Sequence, residues 1–159
     1  MTKEILTVGM SLLLALVFAA TTVPEAVAPG AAPTEEQTEQ VPEKRYYLAA
    51  DERELICEVV MAESGTELYA GKIAVSQCIL NACELTGKRP AEIVTEYGYT
   101  ARRVKPSAEV EKAVSAVFDD GETVTDAEIL YFYAPELVSS EWHESQTYIC
   151  TIGEHRFFA

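Results

Sequence analysis

The stretch that most limits what this chain can fold into is residues 24–45. It holds four of the seven prolines (Pro24, Pro29, Pro33, Pro42), five glutamates and no aromatic residue. Such a segment cannot bury enough apolar surface to offset the entropy of ordering it, and its prolines favour an extended backbone. It reads as a disordered Pro/Glu-rich tether. The folding part must then lie in residues 46–159, which is enough for one hydrophobic core and too little for two. No internal repeat divides it.

Ahead of the tether, Lys3 is followed by 19 uncharged, mostly apolar residues, Ile5 to Val23. A positive start and an apolar run have the form of an export signal. The small-x-small site Ala26-Val27-Ala28 is followed by Pro29, which hinders a signal peptidase, and Val17-Phe18-Ala19 is a fair substitute. A helix of that length, at about 1.5 Å per residue, also approaches the thickness of a bilayer core. Residues 1–23 are therefore read as a signal peptide or an N-terminal membrane anchor. Either way the chain is expected to be exported, secreted or held on the outer face of the membrane.

The chain carries 12 Lys+Arg against 26 Asp+Glu, a net charge of −14. The part after residue 45 holds 9 and 20 of these, so the acidity belongs mainly to the domain. This argues against a nucleic-acid partner, which needs a basic stripe to displace counterions. A solvated, solubilising surface accounts for most of the charge. The four cysteines, Cys57, Cys78, Cys83 and Cys150, all lie in the domain. Outside the membrane an even number suggests disulfides, and small buried thiols are the other reading. Cys78 and Cys83, five apart on one helix, point in different directions and are not expected to pair with each other.

The domain reads as helices first and strands last. Asp51 and Glu54 resemble a capping box, and Leu55, Ile56, Val59 and Val60 follow on one helical face that ends at Gly65. A second helix, about 67–85, is apolar nearly all round and should be central. Pro90 can open a short third helix through Val94, and Ser107 caps a fourth with Val110, Val114, Val117 and Phe118 in a stripe. Residues 129–133 read as a strand stopped by Pro135. Residues 147–152 and 155–158, joined by Gly153-Glu154, read as a hairpin. Helices followed by a small antiparallel sheet make an α+β domain.

Glu63 is the most informative residue. It extends the buried face of the first helix, four on from Val59 and three on from Val60. A carboxylate there loses solvation, which favours its protonated form unless a cation compensates, and no Lys or Arg lies within a turn on that face. A carboxylic acid held neutral is what general-acid cleavage of a glycosidic bond requires. The plain alternative is that the last turn frays and Glu63 points to water or bonds a backbone amide.

The segment AESGTELYAGKIAVSQCILNA (62–82) resembles the opening motif of the cell-wall hydrolase family typified by the spore-cortex-lytic enzyme SleB, roughly A-E-(A/S)-x-G-E-x-x-x-G-x-x-A-V-(A/G)-x-V-(I/V)-L-N-R. YFYAPE followed by Trp142, and the terminal IGEHRFF, match the same family in order and spacing. The resemblance spans about residues 52–158. It implies a lysozyme-like helical core and a peptidoglycan glycosidase of the lytic transglycosylase kind, with the family's catalytic glutamate falling on Glu63. Its substrate would be peptidoglycan glycan strands in wall or spore cortex, cut at the MurNAc–GlcNAc bond to leave 1,6-anhydromuramic ends. No cofactor or metal is implied, and the chain is expected to act as a monomer. A hydrolytic route would want a second acid, for which Glu67 is nearest in sequence. Alternatively Glu67 begins the second helix, where the dipole favours a negative charge.

Tyr99-Thr100 falls where the family carries a Q-F-(S/T)-like segment and keeps the aromatic-hydroxyl pair without the glutamine; Ala82 replaces the arginine after Asn81. Tyr131, Tyr133 and Trp142 offer flat faces and polar tips to sugars, or pack the hairpin. Gln77 and Asn81 are amides four apart in an apolar helix, which contact substrate or bond a neighbouring loop. Two other functions compete. An N-acetylmuramoyl-L-alanine amidase would need zinc held by His143 and His155 with Glu141, Glu144 or Cys150, a spacing that matches no metal motif. A non-catalytic wall-binding domain would not need Glu63 at all.

Overall fold

A computed structural model describes residues 45–159; the expected leader and tether lie outside the described residues. The first described residues are tied to the end of a helix. The amide of Tyr46 donates to the carbonyl of Phe118 at 2.9 Å, and its ring meets the Phe118 ring edge-on.

Helix α1 spans Ala50–Ser64 and α2 spans Tyr69–Thr86. Every residue of α2 from Gly71 to Cys83 is buried, as its all-round apolar sequence requires. It packs against α1, α3 (Pro90–Glu96) and α4 (Ala108–Phe118), and touches the sheet. Each fully buried Ile, Leu or Val along it contributes about 1.5–3 kcal/mol, which makes α2 the axis of the domain. Serine caps α4 as expected, with Ser107 Oγ accepting from the Val110 amide. The start of α1 differs from the expected Asp51/Glu54 box. The chain enters helix two residues earlier, and it is Glu52 that reaches back to accept the Ala49 amide at 3.0 Å.

Strands β1 (Tyr131–Tyr133), β2 (Tyr148–Ile152) and β3 (His155–Phe158) form one antiparallel sheet in the order β1-β3-β2. The expected strand at 129–133 is shorter by two residues, but the Leu130 amide still bonds the Phe158 carbonyl. Pleat alternation sends side chains to both faces. Phe132 and Phe157 face the helical core, while Tyr131, Tyr133 and Phe158 face the other way. That outer face is covered by α5 (Glu141–Glu144), a single turn capped by Ser140. Trp142 meets Tyr131 edge-on at 4.9 Å, and His143 lies 5.0 Å from the Tyr133 ring.

All four cysteines are free thiols, with Cys57, Cys78 and Cys83 buried and Cys150 half-buried. Burial pushes the Cys57 and Cys83 thiols up to about 11.

Candidate active site

A cleft of about 530 Å³ opens between the loop after α3 and the sheet edge, with Glu63, from the last turn of α1, in its lining. Tyr97, Gly98 and Tyr99 form one wall. Because β1 is an edge strand, Tyr131 from its outer face and Phe132 from its inner face both reach the opposite wall. Trp142 and His143 of α5 complete the rim. A second hollow of about 580 Å³ is lined by charged side chains of mixed sign, including Arg53, Glu54, Lys105 and Glu111, and by no aromatic residue.

Glu63 is half-buried. Its Oε1 accepts a 2.6 Å hydrogen bond from the backbone amide of Thr100, and among the described residues no Lys or Arg pairs with it. Oε2 has no hydrogen-bond partner among the described residues. Neighbouring Ser64 is buried and bonds back to the Val60 carbonyl, so the final turn is held rather than frayed.

The sequence candidates divide into two groups. Tyr99, Tyr131 and Trp142 do line the cleft. The Tyr99 hydroxyl is buried without a hydrogen-bond partner among the described residues, and burial pushes its pKa well above the usual value. Tyr99 therefore presents its ring rather than its hydroxyl. Thr100 acts through its main chain, since its hydroxyl accepts from the Arg102 amide. Tyr133 does not line the cleft. Its hydroxyl bonds Glu144, which also pairs with Arg156 at 2.9 Å, and its ring stacks on Phe158. Gln77 and Asn81 are structural too. Gln77 donates to Thr125 O at 2.9 Å and accepts from the Val124 amide at 3.0 Å; Asn81 donates to Ile129 O at 2.9 Å. Their buried amides satisfy the loop that leads into β1, which is why the helix carries them.

Sequence reasoning missed Tyr97, stacked on Tyr131 at 5.5 Å, and Phe132. The Tyr97-Gly98-Tyr99 run was the available signal. His143 was weighed only as a zinc ligand. Its Nδ1 lies 2.7 Å from Ser140 Oγ, and burial lowers its pKa against the opposing charge of Glu144. It lies at the cleft rim, where burial favours the uncharged imidazole. Among the described residues no three His, Cys, Asp or Glu side chains converge to hold a metal.

Glu67 neither opens α2 nor lines the cleft. Leu68 is the N-cap, and the Glu67 side chain, 6% exposed, turns to the β2–β3 connection. There it accepts from the Glu154 amide at 3.2 Å and lies 3.2 Å from His155 Nδ1. That last approach is bent away from a linear hydrogen bond, and Nδ1 has no other partner among the described residues. Two glycines clear the space. A Cβ on Gly153, whose φ is +59°, would come 1.8 Å from Glu67 Oε2, and one on Gly71 would come 2.8 Å from Glu67 Cβ. This packing joins the first and last sequence motifs in space.

A central buried helix, an acid at the end of the helix before it, and a three-stranded sheet walling the acid's cleft define the fold as that of a SleB-type catalytic domain. Two solved structures share it. The crystal structure of the catalytic domain of the Bacillus cereus SleB protein is 24% identical, with a TM-score of 0.59 over 71% of this chain and 93% of that one. The catalytic domain of the germination-specific lytic transglycosylase SleB from Bacillus anthracis is also 24% identical, with a TM-score of 0.56 over 70% and 97%. No family model matches the sequence, and no curated protein matches it.

Proposed function

We propose that this chain is a peptidoglycan-cleaving glycosidase, acting as a lytic transglycosylase with Glu63 as its one general acid and base. The observation that carries the reading is a half-buried carboxylate in an aromatic-walled cleft, aimed by the Thr100 amide and, among the described residues, unpaired with any cation; the other carboxylate in the lining, Glu96, is exposed and pairs with Lys88. The fold it shares with the SleB catalytic domains supports the same reading.

The chemistry follows from that arrangement. A glycan strand lies across the cleft with sugar faces on Tyr97, Tyr131 and the half-exposed Trp142. Binding displaces water from around Oε2. Glu63 gives its proton to the oxygen joining MurNAc C1 to GlcNAc, that C–O bond breaks, and positive charge develops at C1. The 6-hydroxyl of the same muramic acid attacks C1, and the Glu63 carboxylate takes its proton. The products are a 1,6-anhydromuramic end and a free GlcNAc 4-hydroxyl. The nucleophile belongs to the substrate, so no second carboxylate is needed. That accords with Glu67 being committed to the hairpin rather than the cleft. Such an enzyme works outside the membrane, on wall or cortex.

Digestion of purified peptidoglycan followed by mass analysis of the soluble fragments tests this. Anhydro-ended muropeptides from the wild type, and loss of at least about 100-fold in Glu63→Gln, are expected. Water-terminated reducing ends would replace the transglycosylase with a hydrolase. Free stem peptides, or activity undiminished in Glu63→Gln, overturn the proposal.

A further inference from the structure

Glu67 and His155 lie outside the cleft, yet they complete a ring of contacts around it. From Glu63 the chain runs four residues to Glu67, whose carboxylate meets His155 Nδ1 at 3.2 Å. The His155 ring stands edge-on to Phe132, 5.3 Å between centroids, and Phe132 lies 5.7 Å from Tyr99. The residue after Tyr99 is Thr100, whose amide returns to Glu63. The Glu67 corner is itself pinned. Lys72, 2% exposed, donates to the Glu67 carbonyl and pairs with Glu109 Oε2 at 3.0 Å.

We propose that Glu67 is a positioning residue for the reaction: through His155 it holds Phe132 and Tyr99, and thereby sets where the Thr100 amide directs the Glu63 carboxylate. The proposal rests on Glu63 being the acid. A buried carboxylate is costly unless partnered, and an apolar residue at position 67 would fill the same space more simply. What the carboxylate adds is direction. The bond from the Glu154 amide fixes the hairpin against the α1–α2 turn, the carboxylate lies against His155 Nδ1, and Gly71 and Gly153 give the side chain the room to sit there. Displacing the Thr100 amide by about 1 Å would misdirect Oε2, and misplacement of that size costs on the order of 100-fold in rate.

The test uses the full-length chain carrying Glu67→Gln, which keeps the shape and an acceptor for the Glu154 amide but removes the charge facing His155. On soluble, uncross-linked peptidoglycan strands, kcat should fall about 10- to 100-fold with KM within about 2-fold. The second readout needs no substrate. The Thr100 amide proton, shifted by its bond to the Glu63 carboxylate, should move in Glu67→Gln in the same direction as in Glu63→Gln. Phe132→Leu, which breaks the ring of contacts while leaving the Glu67–His155 pair, should reproduce both effects and decides the matter if Glu67→Gln does not fold. Glu67→Gln combined with His155→Gln should lose no more than the worse single variant, because both act on one path. A Thr100 resonance that stays put in folded variants overturns the proposal, as does lowered stability with kcat unchanged. If the wild type releases no muropeptides, the reading of the site fails, while the Thr100 resonance still decides whether the coupling exists.

Discussion

Replacing Gly71 by alanine should destabilise this protein, although the substitution lies inside a helix. In the interior of a helix, alanine is favoured over glycine by about 1 kcal/mol, and it also restricts the unfolded chain. Here the added Cβ would sit 2.8 Å from Glu67 Cβ and 3.2 Å from Glu67 Cγ. Carbon–carbon contacts are comfortable at about 3.5–4.0 Å, so Glu67 must retreat by close to 1 Å. Its far side is closed by the Gly153 backbone, and its carboxylate is bonded to the Glu154 amide at 3.2 Å. A retreat of that size stretches the bond to about 4 Å, beyond hydrogen-bond range. Overpacking of this kind costs about 1–3 kcal/mol, and loss of a buried polar partner a further 1–3 kcal/mol or so. After subtracting the propensity gain, the net loss is about 1–5 kcal/mol. At roughly 4 °C per kcal/mol for a domain of this size, Tm should fall by about 4–20 °C. Thermal unfolding followed by circular dichroism, with urea titration alongside, measures it. A Tm equal to or above that of the wild type would mean that Glu67 is not confined as described, and would refute the reasoning.

Two further outcomes are expected. Asn81→Leu should cost about 1–3 kcal/mol by leaving the Ile129 carbonyl without its donor, while KM for glycan strands stays as it was; a raised KM at unchanged stability would return Asn81 to the binding groove. Arg89 donates to the Glu52 carboxylate and, with the Ala49 amide, holds its pKa below the usual value against desolvation. A depressed folded pKa contributes stability that is present above the unfolded value of 4.5 and is lost as pH falls through the folded one. Glu52→Gln should therefore lower stability at pH 7 by about 1–2 kcal/mol and make little difference at pH 2, read from urea midpoints at the two pH values; an equal loss at both would remove the ion pair from the explanation.

How much was legible depended on how local the cause was. The end of α1 before Gly65, the Ser107 cap and the Gly153-Glu154 hairpin turn are set by residues within a few positions of one another, and each lies where spacing put it. So does Glu63, whose place on the helix face needed only the 3.6-residue period. The α5 turn escaped because four residues carry no periodicity, and Tyr97 and Phe132 escaped because nothing local marks an aromatic as cleft wall rather than core.

The sequence by itself determined which segments become helix and strand, that α2 lies at the centre, and that Glu63 continues the apolar face of α1 to its last turn. Those are consequences of periodicity, caps and turn residues acting over one or two turns of chain. The tertiary structure alone decided what each buried polar group is for. Glu67 finds its partner 87 residues away, and Gln77 and Asn81 find theirs 47 and 48 residues away. A buried amide or carboxylate must be satisfied, but its own sequence neighbourhood does not say by which distant backbone. That choice turned Gln77 and Asn81 from candidate sugar contacts into loop anchors. It also turned Glu67 from a candidate second acid into a brace between the chain's first and last motifs.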